Sequence, residues 1–323
     1  MTNTALNARP FDVIGLGVNT VDVIATIDGF PAPDVKAPAH QLEVQGGGVT
    51  ATAMVTCARL GLRTRYIGKI GDDLWAEMSL KMLADEGIDM AGVIRAPGVP
   101  GHVSLVLVDR ETGKRSLFYR RPPAYLIAPD ELDRAAITSG RLLHVDGIDA
   151  QAAMRAIGWA REAGMRITMD GERIVPGIEA VWPQVDLLVC NPFFLAHFTG
   201  STDPHEGLHA MAAIGPPRVA VTLAENGVLG LAEGRYLQLP AFAVAPVDTN
   251  GAGDVFHGAC AIGELHDWPF EWTLTLANAV AAMKCRALGG RAGIPRGPEV
   301  VEFLVSHDQQ KLARAFRETL DTC

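Results

Sequence analysis

Short apolar runs alternate with amphipathic segments over most of the chain. FDVIGLGVNTVDVIATI, from Phe11 to Ile27, is rich in β-forming residues. A glycine turn at Gly46–Gly48 leads into VTATAMVTCARLG, a small-residue stretch that stops at Gly61 as a helix would. RTRYIGKIG (Arg63 to Gly71) reads as a strand, and LWAEMSLKMLADEG (Leu74 to Gly87) as an amphipathic helix with a glycine stop. HVSLVLVD (His102 to Asp109) and KRSLFYRR (Lys114 to Arg121) flank an ETG turn and predict a hairpin. Further on, RLLHVDG, MRITMDG, DLLVCN and RVAVTLA are short apolar runs ending in polar or small residues. Such runs between helical segments predict strands buried on both faces, hence an α/β fold with a mostly parallel sheet.

In open α/β sheets the ligand crevice lies beyond the carboxyl ends of the strands. His144, Asp146, Asp170, Asn191 and Thr222 fall at such ends. Position makes each a site candidate and, equally, a helix cap.

Composition narrows the function. The chain has 323 residues, 48% of them apolar, enough for one large α/β domain. No apolar run approaches the roughly 18 residues of a membrane span. Met1 to Pro10 lacks the basic-then-apolar pattern of a signal peptide, so a cytoplasmic location is expected. A net charge of -9 disfavours nucleic acid and anionic membrane surfaces as partners. Cys57, Cys190, Cys260, Cys285 and Cys323 are scattered and form no CxxC pair, so reduced thiols are expected. The histidines show no HExxH spacing.

The richest segment is VDTNGAGDVFHGACAIGEL, Val247 to Leu265. Gly251-Ala252-Gly253 can bend tightly and let a ligand approach the backbone. A helix opening at that turn would aim its free N–H groups and its dipole at an anion. Asp254 sits at the mouth of this cradle, where a carboxylate can take a proton from an attacking hydroxyl. The plainer reading is a helix-capping Asp. His257, three residues on, either shapes the pocket or packs in the core.

DTNGAGDVFHGA resembles the C-terminal signature of the PfkB (ribokinase-like) carbohydrate kinases, usually DTTGAGDxFxGA, with Asn250 at the second Thr. IGKIGDD (Ile67 to Asp73) is similar to the family's VGxVGxD, with Trp75 at a common glycine, and LANAVAAMKCRALGGRAGIP (Leu276 to Pro295) to its FANAAAA…GA…IP. The likeness runs from about Phe11 to Pro295. DVFHGA with KC…GGRAGIP looks closest to the sulfofructose-kinase-like branch. The resemblance implies one kinase domain over 1–323, a ribokinase-like three-layer sandwich with a small β-sheet lid from about 22–45 and 98–124. It further implies ATP and Mg²⁺ as cofactors, a sugar-like acceptor and a homodimer through the lid.

It also implies roles by position. Asp254 would be the base and Gly251, Ala252 and Gly253 the anion hole. Asp22, in GVNTVD, would bind sugar hydroxyls beside Gly47 and Gly48. Where ribokinases place Lys and Asn, this chain has Val49 and Thr52, which puts ribose in doubt. Thr222 and Gly227, in VTLAENG with Ala224 at a usual glycine, together with Asn278 and Asn191, would serve the nucleotide. Asp248, with carbonyls around 287–293, falls where many relatives hold a monovalent cation such as K⁺. The family's NxxE becomes NPFF, with Phe194 at the Glu position, so either Asp170 or Glu172 supports Mg²⁺ or the metal dependence is altered. Lys36, Arg120 and Arg121 lie in the lid segments and could clamp an anionic acceptor. A nucleoside kinase of the same family, a non-catalytic sugar or nucleotide sensor, and a dehydrogenase hinted at by GLGVNT are the competing readings. GLGVNT lacks a full GxGxxG.

Overall fold

The computed structural model describes residues 8–112 and 115–321. The expectations for the leading residues 1–7, for the end of the ETG turn with Lys114, and for Cys323 lie outside the described residues. In chain order the strands are β1 (Phe11–Leu16), β2 (Thr20–Ile27), β3 (Gln41–Gly47), β4 (Thr64–Ile67), β5 (Lys69–Ile70), β6 (Ile94–Arg95), β7 (Val103–Asp109), β8 (Arg115–Arg120), β9 (Gly140–Val145), β10 (Arg166–Gly171), β11 (Leu187–Cys190), β12 (Arg218–Thr222), β13 (Val228–Ala232) and β14 (Arg235–Leu239).

The apolar runs assemble into an 8-stranded sheet, ordered β14-β13-β12-β11-β10-β9-β1-β4. It is parallel from β4 to β12, with β13 and β14 added antiparallel. Neighbouring residues on one strand feed opposite faces, as the period of two requires. On β1, Val13 enters one apolar cluster and Ile14 the other; on β11, Leu187 and Val189 face one way and Leu188 and Cys190 the other. Helices Val49–Arg59, Ala252–Leu265, Phe270–Lys284 and Gly297–Ser306 pack on the first face. Ala150–Glu162, Pro192–Thr199 and Pro204–Ile214 cover the second. The expected three layers are therefore present. No helix among the described residues is long and apolar enough to cross a membrane. Cys57, Cys190, Cys260 and Cys285 are free and buried.

RTRYIGKIG does not form one strand. It breaks at Gly68 into β4 of the main sheet and β5, which pairs with β6 instead. A side chain at Gly68 would collide with the Tyr66 hydroxyl, which donates to the Gly17 carbonyl at 2.7 Å.

The segments that interrupt the alternation form a separate 4-stranded sheet, ordered β3-β2-β7-β8. Its strands run within 20–47 and 103–120, close to the expected 22–45 and 98–124. β2 and β7 are parallel neighbours, with Asp22 opposite Ser104; β7 and β8 are antiparallel, with Ser104 opposite Tyr119. Asp22, Ser104 and Tyr119 thus share one face of this sheet.

One close contact sets the helix that carries Asp254. Helix Ala252–Leu265 crosses helix Val49–Arg59 at Gly258, where a Cβ would lie 2.5 Å from the Ala53 carbonyl oxygen. Only glycine allows that approach, which fixes the start of one helix relative to the Gly47–Gly48 entry of the other.

Candidate active site

A cavity of about 270 Å³ opens between the carboxyl edge of the main sheet and the small sheet. From the main sheet come Asp170 and Glu172 at the end of β10, Asn191 after β11 and Thr222 closing β12. The turn Thr249–Gly253 and Asp254 form its base. The small sheet supplies Thr20, Asp22, Ser104 and Tyr119, and the switch into helix Val49–Arg59 supplies Gly47, Gly48 and Thr52.

The anion cradle takes the shape that its sequence predicts. Gly251 caps helix Ala252–Leu265 in the left-handed region, at φ 74°, with no side chain bonded to the first-turn N–H groups. Ala252 N donates back to the Thr249 carbonyl at 3.2 Å, which leaves the N–H groups of Gly253 and Asp254 for an anion. A Cβ at Gly253 would meet nothing within 4 Å, so the backbone here borders open cavity.

Asp254 is half-buried at the first turn of the helix. Burial, then the charges of Asp170, Glu172 and Asp22, push its carboxyl well above the usual range. That makes it a stronger base than a solvated aspartate. Asp170 is buried and lies 3.1 Å from His257 Nε2. Burial raises Asp170 and drives His257 down to about 3, so burial disfavours the charged form of each. Glu172 is also raised, by burial and by Asp170.

Asp22 is 5% exposed, and its Oδ1 has no partner among the described residues. Burial lifts it to about 6, against the pull of Arg291. Arg291 is fully inside: Nε donates to Thr52 Oγ1 at 3.2 Å, and Nη2 to Asn19 Oδ1 at 3.2 Å and to the Gly47 carbonyl. It ties the glycine entry to the loop after helix Phe270–Lys284. Arg291 lies in the quoted GGRAGIP run, yet nothing local marks it as a contact of Gly47.

His102 was also missed by the sequence. It lines the cavity just before β7, and its Nδ1 is buried without a partner among the described residues. Burial, with Arg121 and Arg173 nearby, lowers it to about 4, so the ring is neutral. Arg115 and Arg173 also reach the cavity.

Several expected residues lie elsewhere. Lys36 is exposed on the turn between β2 and β3 and does not line the cavity. Arg115, Leu117 and Tyr119 alternate inward on β8, so Arg120 falls on the opposite face; its side chain is 57% exposed and donates to the Gly101 carbonyl. The anionic clamp of Lys36 and Arg120 is therefore corrected. Arg121, just past the strand, does line the cavity but is paired with Asp149 at 3.0 Å. Gly227 and Asn278 stand outside the lining, and Asn278 Nδ2 donates to the Pro240 carbonyl. Asp146 is a clip that accepts from Val18 N, Thr50 Oγ1 and Ile148 N. His144 Nδ1 bonds Thr168. Phe194 is 0% exposed against Phe198, a core residue where the resemblance has Glu. Asn191 caps its own helix and lines the cavity. Ala224, at the usual glycine, is left-handed at φ 51°, which explains why glycine is common there.

The model of the pfkB family of carbohydrate kinases matches residues 12–296. Fructokinase-1 of Zea mays is 27% identical over 90% of this chain and 97% of its own length. Deoxyribokinase of Salmonella typhi is 24% identical over 91% and 98%. Among solved structures, a ribokinase from Thermotoga maritima superposes with a TM-score of 0.78 at 24% identity, covering 91% of this chain and 99% of that one. Arabidopsis thaliana ribokinase complexed with ribose and ATP gives 0.76 at 20%, covering 91% and 98%. The turn, the aspartate at the helix start and the two-sheet cavity thus stand in a chain matched along nearly its whole length, and the protein belongs to the pfkB family of carbohydrate kinases.

Proposed function

We propose that this carbohydrate kinase transfers the γ-phosphoryl group of ATP to a hydroxyl of a small sugar, with Asp254 as the base. The observation that carries this reading is the convergence, in one cavity, of Asp254, the uncapped helix start at Gly251–Gly253 and the unpartnered carboxylate oxygen of Asp22. A buried acceptor atom without a partner costs free energy, and a sugar hydroxyl would satisfy it. His102 offers a second lone pair to the same ligand, and Ser104, Thr52 and the backbone of Gly47 and Gly48 complete the acceptor side.

The hydroxyl oxygen attacks the γ-phosphorus as its proton passes to Asp254, and ADP leaves. The N–H groups of Gly253 and Asp254 stabilise the charge that spreads over the transferred group. The nucleotide enters past Asn191 and Thr222. A Mg²⁺ ion is held mainly by phosphate oxygens with one or two carboxylates. Glu172 fits that part, because Asp170 is engaged with His257. When bound, the ion neutralises phosphate charge. No group of three or more metal-ligating side chains occurs among the described residues, as this mode requires none.

The small sheet would act as the lid, excluding water once the acceptor is bound. Its other face exposes Val44, Leu105 and Phe118, joined in one cross-strand row through Val23. We assign that row to a homodimer. ADP release with D-fructose, D-ribose, 2-deoxy-D-ribose, sugar acids and nucleosides tests the reading. Acceptor-independent ATP hydrolysis alone would count against it.

A further inference from the structure

The sequence led us to expect a monovalent cation between Asp248 and the carbonyls of 287–293, and the structure fills that place with protein donors. Lys284 is 0% exposed, and its Nζ donates to the Asp248 carbonyl oxygen at 2.9 Å. The Leu288 carbonyl accepts from Gln45 Nε2 at 3.0 Å. The Arg291 carbonyl accepts from Arg59 Nη1 at 3.0 Å. The Lys284 carbonyl accepts from Ala287 N at 3.3 Å. The Asp248 carboxylate is likewise committed, accepting from Asn250 N and Gly289 N, both at 2.8 Å. The named oxygens already face N–H donors, and the buried Lys284 ammonium holds the Asp248 carbonyl that an exchangeable ion at this place would need.

We propose that Lys284 is a tethered cation that replaces the exchangeable ion and holds the Thr249–Gly253 turn in place. It is a positioning residue, since it acts on the anion hole through the Asp248 backbone. Three features support the role. Lys284 ends helix Phe270–Lys284, where the dipole favours a cation. Its ammonium bonds the residue that begins the turn, while the Asp248 carboxylate bonds the loop on the other side. Burial lowers the pKa of the ammonium, and the charges of Asp248 and Asp254 oppose that shift in part. A covalently held ammonium loses no translational freedom on binding and is always present. Turnover is then independent of K⁺, where an ion-dependent site would respond to it.

The proposal rests on reading this turn as the phosphoryl-transfer site, and the test separates the two. Thermal unfolding and ADP release are measured in KCl, NaCl and N-methyl-D-glucamine chloride at equal ionic strength. The wild type is expected to give the same Tm and the same kcat in all three. Lys284→Ala is expected to lose about 10–10²-fold in kcat, the effect of a displaced catalytic group. It should recover in NH₄⁺ or K⁺, with a Tm that now rises in KCl. Lys284→Arg keeps a cation and should stay insensitive to salt identity. A saturable, K⁺-specific rise in the Tm or kcat of the wild type would overturn the proposal. So would a folded Lys284→Ala with undiminished kcat. If no acceptor is phosphorylated, the Tm arm still decides the matter, because it needs no turnover. If Lys284→Ala does not fold, the wild-type comparison decides alone.

Discussion

A side-chain carbon on Gly47 would stand 2.2 Å from Oδ2 of Asp22. The bare backbone at Gly47 is what lets the Asp22 carboxylate lie against the entry to helix Val49–Arg59. Gly47→Ala should therefore push Asp22 aside and raise the acceptor KM by about tenfold, the loss of one good hydrogen bond to a charged group. The KM for ATP should hold. Steady-state kinetics varying each substrate in turn would show it; an unchanged acceptor KM would mean that Asp22 does not touch the sugar.

Ionisation links Asp22 and Asp254. Both must be charged to work, one as hydrogen-bond acceptor and one as base, and both carry raised pKa values, about 6 for Asp22. A raised carboxylate pKa means that the working form is lost as pH falls. kcat/KM, which reports the free enzyme, should therefore fall as pH drops through about 6, where Asp22 takes up its proton, and protonation of Asp254 adds to the same acid limb. Asp22→Asn should lower kcat/KM and leave a one-proton limb. A wild-type profile flat to pH 5 would remove both assignments.

Gly253 separates chemistry from folding. Because a Cβ there meets nothing within 4 Å, Gly253→Ala should keep the Tm of the wild type. The methyl group would stand where the transferred phosphoryl group must pass, so kcat should fall by about 10²-fold, the scale of one disturbed oxyanion contact. A variant of equal Tm and equal kcat would move the anion hole elsewhere.

Ala224 offers a stability test. Its left-handed φ of 51° costs roughly 1–2 kcal/mol in a non-glycine residue. Ala224→Gly relieves that cost but loosens the unfolded chain by about 0.4–1 kcal/mol. The net gain should be up to about 1.6 kcal/mol, read as a raised urea midpoint with an unchanged slope.

Most of the central site was legible because its residues sit in local patterns. Gly251, Gly253 and Asp254 belong to one turn and one helix start; Asp22 lies near the start of β2, and Gly47 ends β3. Of the polar residues after the buried strands, Asp170, Asn191 and Thr222 line the cavity, since a parallel sheet gathers its carboxyl ends, whereas His144 and Asp146 do not. Residues whose place depends on strand register were not. Arg120 and Arg121 are neighbours, yet one faces away from the cavity and the other lines it, and a single step along a strand changes the face. His102, Arg291 and Lys284 act through contacts distant in sequence, the Arg291–Gly47 bond spanning 244 positions. No period or motif reports such a contact. Phe194 was visible as a departure, but only packing against Phe198 shows it to be a core residue.

The central claim is that Asp254 takes the proton of a sugar hydroxyl during transfer from ATP. The direct measurement is acceptor-dependent ADP release by wild type and Asp254→Asn, with ATP binding followed separately. The account predicts sugar-dependent turnover in the wild type. In the folded variant it predicts a loss of about 10²–10⁴-fold in kcat, with ATP affinity little changed. Near-normal turnover in Asp254→Asn would contradict it.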